Sequence, residues 1–166
     1  MRKKSFILVV FIFFMTVSNY IYATELYGAK GAGQSSEPTL EQMLIYAIQD
    51  EYLAHAEYEY IIGKYGSIRP FSNIIKAEKT HINMLKPLFT QYGFQLPEDT
   101  AKGYIVVPVD LKGALETCVQ GEIDNIAMYG KFLSIQLPDD IRVTFERLKN
   151  ASENHLRAFR NALSRY

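Results

Sequence analysis

The chain has 166 residues, enough for one domain with a sizeable core and too few to expect two. Its hydrophobic content of 48% fits a globular class, and basic and acidic residues balance at 18 each. No basic patch stands out, so the electrostatic footprint of nucleic-acid binding is missing and small partners are expected.

Residues 1–23 read as a secretory signal peptide. Arg2, Lys3 and Lys4 precede an apolar run from Phe6 to Val17, and Ala23 offers a small residue at the cut. The competing reading is an uncleaved anchor, because the run extended through Ile21 approaches the minimum length of a span. Export to a periplasmic or extracellular space follows. Without the three leader cations, fifteen basic residues face eighteen acidic ones, a net charge of about −3. The compartment would be oxidising, yet the single cysteine, Cys118, cannot form an internal disulfide, so packing must hold the fold. Residues 24–37, with Gly28, Gly31, Gly33, Ser35 and Ser36, read as a flexible linker ahead of a domain at 38–166.

Thr39 followed by Gln42 is a capping-box signature and starts a helix predicted to reach about Ile62, with Gly63 and Gly66 ending it. Its inward stripe is Leu44, Ala47, Ile48, Glu51, Ala54, Tyr58 and Ile61, in which Glu51 is the one charge. Asp50, Glu57 and Glu59 read as a solvated face, and His55 as an edge residue outside the site. A second helix follows Arg69-Pro70 and runs to Tyr92, where Gly93 stops it and Pro87 is expected to kink its last turns. Phe71, Ile74, Ile75, Ile82, Leu85 and Phe89 form an apolar stripe that also carries Glu78 and His81, three residues apart on one face.

Residues 93–108 read as an extended segment over the bundle. Fully stretched they reach roughly 50 Å, enough to run the length of a helix and change the up-down order. Asp110 caps a third helix whose stripe is Leu111, Leu115, Cys118, Val119, Glu122, Ile126, Tyr129 and Leu133. Cys118 there reads as a small buried thiol, with ligation or redox chemistry as the alternative. After Leu137-Pro138-Asp139-Asp140 a fourth helix turns Ile141, Phe145, Leu148, Ser152, His155, Leu156, Phe159 and Leu163 inward.

The two hairpins repeat weakly, and the repeat aligns the polar residues. Gln49, Glu51, Ala56 and Tyr58 match Gln120, Glu122, Ala127 and Tyr129; Ala77, Glu78, His81 and Ile82 match Ala151, Ser152, His155 and Leu156. In an antiparallel hairpin, residues equidistant from the turn share a height, and Glu51 with Glu78, like Glu122 with His155, straddles a predicted turn evenly. Three carboxylates and two imidazoles then converge on one layer with no Lys or Arg to neutralise them. A pair of divalent ions accounts for that convergence; a metal-free polar network is the competing account. Tyr58 and Tyr129, each seven residues after a Glu, are placed to orient the ligands.

On these residues the chain from about Glu37 to Tyr166 resembles the ferritin-like superfamily, closest to a bacterial and archaeal branch known only as a domain of unknown function. The resemblance is carried by Asp50-Glu51-Tyr52-Leu53-Ala54 with Tyr58, by Phe71-Ser72-Asn73-Ile74 leading to Glu78-x-x-His81, by Glu122, and by Ser152-Glu153-Asn154-His155-Leu156. It implies an all-α four-helix bundle with a long connection between helices two and three. It also implies a di-iron centre held by Glu51, Glu78, His81, Glu122 and His155, with Tyr58, Tyr129 and Ser152 around it; manganese suits the same donors. Rubrerythrin-like members carry a second Glu-x-x-His where this chain has Ser152-x-x-His155, which leaves one metal position short of a ligand. The implied activity is oxidation of Fe(II) by O2 or peroxide, as a ferroxidase or peroxide-consuming oxidoreductase. The alternative is a bundle that buffers metal or displays a surface without turnover. Expected partners are metal ions, O2 or peroxide and a second copy in a homodimer. An external electron donor is also expected if the centre cycles, because no Cys-rich rubredoxin segment is present.

Overall fold

Thr39 accepts a hydrogen bond from the Gln42 amide at 3.2 Å, and the Gln42 side chain accepts from the Thr39 amide at 2.9 Å. This reciprocal capping starts the first long helix at the expected residue. The structure, a computed structural model, describes residues 27–166; the leader expected at residues 1–23 lies outside them. Among the described residues there are five α-helices and no strand: α1 (Gly28–Gln34), α2 (Leu40–Tyr65), α3 (Phe71–Tyr92), α4 (Leu111–Leu133) and α5 (Asp139–Leu163). None of these helices is long and apolar enough to cross a membrane.

The helices pack as a bundle of two hairpins, α2 with α3 and α4 with α5. α2 passes through Gly63 and ends three residues later than expected, at Gly66, whose φ of 86° only glycine adopts freely. Gly93 likewise closes α3 in the left-handed region, and α3 continues through Pro87. The connection from α3 to α4 contains one 3-10 turn, Ala101–Gly103, and runs beside α2 toward its C-terminal end. Its Val106 amide donates to Glu57 at 3.3 Å, and the Pro108 carbonyl accepts from Lys64 at 3.0 Å. This course is the extended crossover expected from the sequence. It delivers α4 to the end of α2 that α3 leaves from, so α3 and α4 point the same way.

Two apolar clusters fill the interior. One centres on Leu44, Ile48, Leu85, Phe89, Phe132, Phe145 and Leu148, the other on Ile61, Phe71, Leu115, Cys118 and Phe159. Each fully buried Leu, Ile or Phe stabilises the fold by about 1.5–3 kcal/mol, so these clusters can support a polar layer between them. The repeat shows in burial: Glu78, His81 and Ile82 are buried after a half-buried Ala77, as are Ser152, His155 and Leu156 after Ala151.

Three expectations are corrected. The described part of the 24–37 linker is not a free tether, because α1 docks on α2 and α4 with Ala29 and Ala32 buried. The Gly28 amide donates to Gln49 at 3.2 Å and the Ala29 amide to Asp50 at 2.9 Å, while Lys131 donates to the Ala32 carbonyl at 2.8 Å and to that of Ser35. Both ends of α1 are thus satisfied by side chains from other helices, and small residues allow the close approach. A Cβ at Gly28 would stand 2.6 Å from Asp50 Oδ1. Asp50 is consequently half-buried and structural, not part of a solvated face. The third correction is the register of α4: Ala114, Asn125, Met128 and Phe132 are buried, while Leu111, Val119, Ile126 and Leu133 are only half-buried. α1 covers that flank of α4, and Met128 joins the cluster containing Ala29 and Ala32.

Candidate metal centre

Each hairpin presents its polar residues at the height where its two helices run side by side, between the apolar clusters. Glu51 comes from α2, Glu78 and His81 from α3, Glu122 from α4, and Ser152 and His155 from α5; all are at least nine-tenths buried. The structure brings together all five candidate ligands. Their contacts form two triads that share one residue. His81 Nδ1 lies 3.0 Å from Glu51 Oε2 and 2.9 Å from Glu78 Oε2. His155 Nδ1 lies 3.1 Å from Glu78 Oε1 and 3.3 Å from Glu122 Oε1. Within each triad the potential ligand atoms lie within 4.8 Å of one another. The Glu78 carboxylate therefore faces one triad with each oxygen, and the two imidazoles stack with centroids 5.6 Å apart.

Two tyrosines orient the outer carboxylates across the hairpins. Tyr58 of α2 donates to Glu122 of α4 at 2.9 Å, and Tyr129 of α4 donates to Glu51 of α2 at 2.8 Å. Each ring is held by two phenylalanines. Tyr58 packs on Phe71 and Phe159 with centroids at 6.1 and 5.4 Å, and Tyr129 on Phe132 and Phe145 at 6.4 and 5.5 Å. The repeat seen in sequence is thus an approximate twofold relation in space, with each Tyr fixing the other hairpin's Glu.

Burial pushes the Glu51 carboxyl up to about 7 in spite of its contact with His81, and burial likewise raises Glu122. Burial would raise Glu78 too, but the imidazoles of His155 and His81 outweigh it and bring Glu78 down to about 2. For the imidazoles burial opposes the cation, and the facing carboxylates overcome it, lifting His81 to about 10 and His155 to about 9. Protons on the two Nδ1 atoms thereby hold the carboxylates together. Each is an imperfect solution: a single N–H cannot point at two carboxylates, and Glu78 Oε1, buried, has no hydrogen bond of its own. A divalent ion in place of each proton would accept every donor in its triad, so the donor set of hard oxygens and imidazole nitrogens fits iron or manganese.

Ser152 stands at the repeat position of Glu78, the shared carboxylate. Its hydroxyl donates to the Leu148 carbonyl at 3.2 Å and accepts from Asn125 Nδ2 at 3.1 Å, so it points away from ligation. Each triad has two carboxylates and one imidazole, so neither is short of a donor relative to the other. What the serine removes is a carboxylate at the repeat position of Glu78. Asn125 lies off the stripe predicted through Ile126, but it stands three residues after Glu122, and that spacing is its signal in the sequence. His55 is half-buried and takes no part in either triad. Cys118 is a buried thiol raised well above its ordinary value, first by burial and then by Glu57, Glu122 and Glu78.

Residues 41–165 match a domain family described as an uncharacterized protein domain, DUF2202. The chain is 28% identical to the uncharacterized protein MJ0754 of Methanocaldococcus jannaschii over 74% of each chain. The crystal structure of that hypothetical protein superposes with a TM-score of 0.67 at 26% identity, covering 80% of this chain and 87% of the other.

Proposed function

We propose that this chain, which belongs to the DUF2202 domain family, is an exported ferritin-like di-iron protein that reacts Fe(II) with O2 or peroxide. On this reading α2 to α5 are the four-helix bundle, α1 is an accessory clasp, and the α3–α4 connection is the ferritin-like crossover. The observation that carries it is the Glu78 carboxylate, which turns one oxygen to each of two Glu/His triads in a buried layer. Glu51 and His81 would hold one ion, Glu122 and His155 the other, and Glu78 would bridge them. Two iron ions bound there would supply redox chemistry toward O2 or peroxide. The chain's own residues bind and orient: Tyr58 and Tyr129 hold Glu122 and Glu51 in place, and the flanking phenylalanines brace the two tyrosine rings. Turnover beyond one oxidation draws on an external electron donor.

A second reading, metal buffering without turnover, is favoured by the Ser152–Asn125–Leu148 hydrogen bonds, which leave the centre with one bridging carboxylate in place of two. Metal analysis of the purified protein, then anaerobic Fe(II) loading and exposure to air, separates these readings. Two iron ions per chain with O2 consumption supports the oxidase. Binding without O2 consumption supports buffering. No bound metal, with no difference between wild type and His81→Ala, overturns both.

A further inference from the structure

Between α2 and α4 lies a cavity of about 250 Å³, roofed by α1 and the crossover through Tyr27 and Tyr104. Three carboxylates line it, Asp50, Glu57 and Asp124, against one cation, Lys30. A second cavity, about 40 Å³, lies deeper and shares Asp50, Leu53, Glu57 and Gly121 as walls with the first. The inner one also touches Tyr58, Glu122 and Asn125, and so ends on one of the two triads. Liquid water occupies about 30 Å³ per molecule, so the inner chamber holds a single water-sized particle.

Acidic walls alone do not make a site, and a second observation points to a ligand here. Asn125 is 5% exposed and its Oδ1 has no hydrogen-bond partner. The Ser152 proton is committed to Leu148, so Asn125 must offer its amide nitrogen to Ser152, which leaves a buried carbonyl oxygen without a donor on a residue that lines the chamber. A buried carbonyl oxygen without a donor destabilises the fold, and a passing cation relieves that cost. Gly121 has no side chain to narrow the passage, and a Cβ added there meets nothing within 4 Å.

Resting on the metal-binding reading above, we infer that the α2–α4 cleft is the inlet for divalent cations. Glu57 and Asp124 gather the ion, Gly121 keeps the passage open, and the Asn125 carbonyl is its last waypoint before Glu122 and His155. The triad with Glu122 is then the first to fill and the first to exchange, and the triad with Glu51 is loaded through it.

The test is the rate of anaerobic Co(II) uptake by the purified protein, followed by stopped-flow absorbance, with metal content at equilibrium measured separately. Gly121→Leu fills the passage, and because leucine is the better helix former it should not weaken α4. It is expected to slow uptake by about tenfold or more while leaving equilibrium content unchanged. The double variant Glu57→Gln, Asp124→Asn is expected to slow uptake several-fold at low salt and to flatten its dependence on ionic strength, since steering by a charged cleft changes on-rates by about 10–10³. Wild-type uptake rate and salt dependence in both variants would overturn the inlet while leaving the metal centre intact. Failure of the wild type to bind Co(II) would overturn the metal centre itself, and the inlet with it. If Gly121→Leu does not fold, the charge variant decides.

Discussion

The α2–α3 and α4–α5 hairpins are two answers to one problem, how to keep carboxylates and an imidazole inside an apolar bundle. Both supply an outer Glu, both supply a His on the partner helix, and both fix the other's Glu with a Tyr braced by two phenylalanines. They differ at one position of the repeat: Glu78 in the first, Ser152 in the second. Because Glu78 serves both triads, the difference does not make one triad rich and the other poor. It leaves one carboxylate, Glu78, shared between the two triads, and gives Asn125 a neighbour to hold in place of a carboxylate. Similar scaffolds that differ at one buried position separate what holds the layer together from what tunes it.

The largest effect should follow from breaking the shared residue. Glu78→Gln keeps the shape but removes a charge from both triads, and metal content is expected to fall from two ions per chain to fewer than one, by elemental analysis after anaerobic loading. Retention of two ions would mean that Glu78 does not bridge. Ser152→Glu should sharpen the comparison by restoring the missing carboxylate. In metal-free protein a fourth buried carboxylate with no counter-charge is expected to cost about 3 kcal/mol in urea denaturation, and added Mn(II) or Fe(II) should recover most of it. A loss that metal does not recover would show that position 152 lies outside the centre.

The smallest effect is on the pH dependence of the metal-free protein. His81 and His155 are raised from 6.5 to about 10 and about 9, so their stabilisation is fully present below pH 6.5 and is lost as pH rises through 9 to 10. Glu51, raised from 4.5 to about 7, acts in the same sense, present below pH 4.5 and lost by 7. Glu78, lowered to about 2, acts oppositely: its contribution is present above pH 4.5 and lost as pH falls toward 2. The urea midpoint should therefore decline from pH 6.5 to 10 and also below 4.5. A midpoint that climbs between 6.5 and 10 would refute the imidazolium–carboxylate layer, and bound metal should flatten the alkaline decline because it replaces the same protons.

The long helices were legible because their signals are local. Thr39 with Gln42, Pro70, Gly93 and Asp110 mark their ends through bonds spanning four residues or fewer. The α5 stripe from Ile141 to Phe159 is buried as its spacing predicts, because its apolar and polar faces are sharply divided. The buried face of α4 is rotated a fraction of a turn from the predicted stripe, since its faces are less distinct and α1 covers a flank that would otherwise be wet. α1 itself was illegible: a seven-residue, glycine-rich segment has no amphipathic pattern, and the groups that hold its ends lie 21 residues ahead in Gln49 and Asp50 and 96 or more ahead in Lys131.

The sequence by itself determined the helix spans and the presence of Glu51, Glu78, His81, Glu122 and His155 on inward stripes, since periodicity and capping act over a few residues. Only the tertiary structure decided which oxygen faces which imidazole, that Tyr58 and Tyr129 cross to the opposite hairpin, that Ser152 turns away, and that a cleft reaches Glu122 between α2 and α4. These depend on how closely helices approach, and the cross-hairpin tyrosine bonds join residues 64 and 78 positions apart, a separation at which no local pattern carries information.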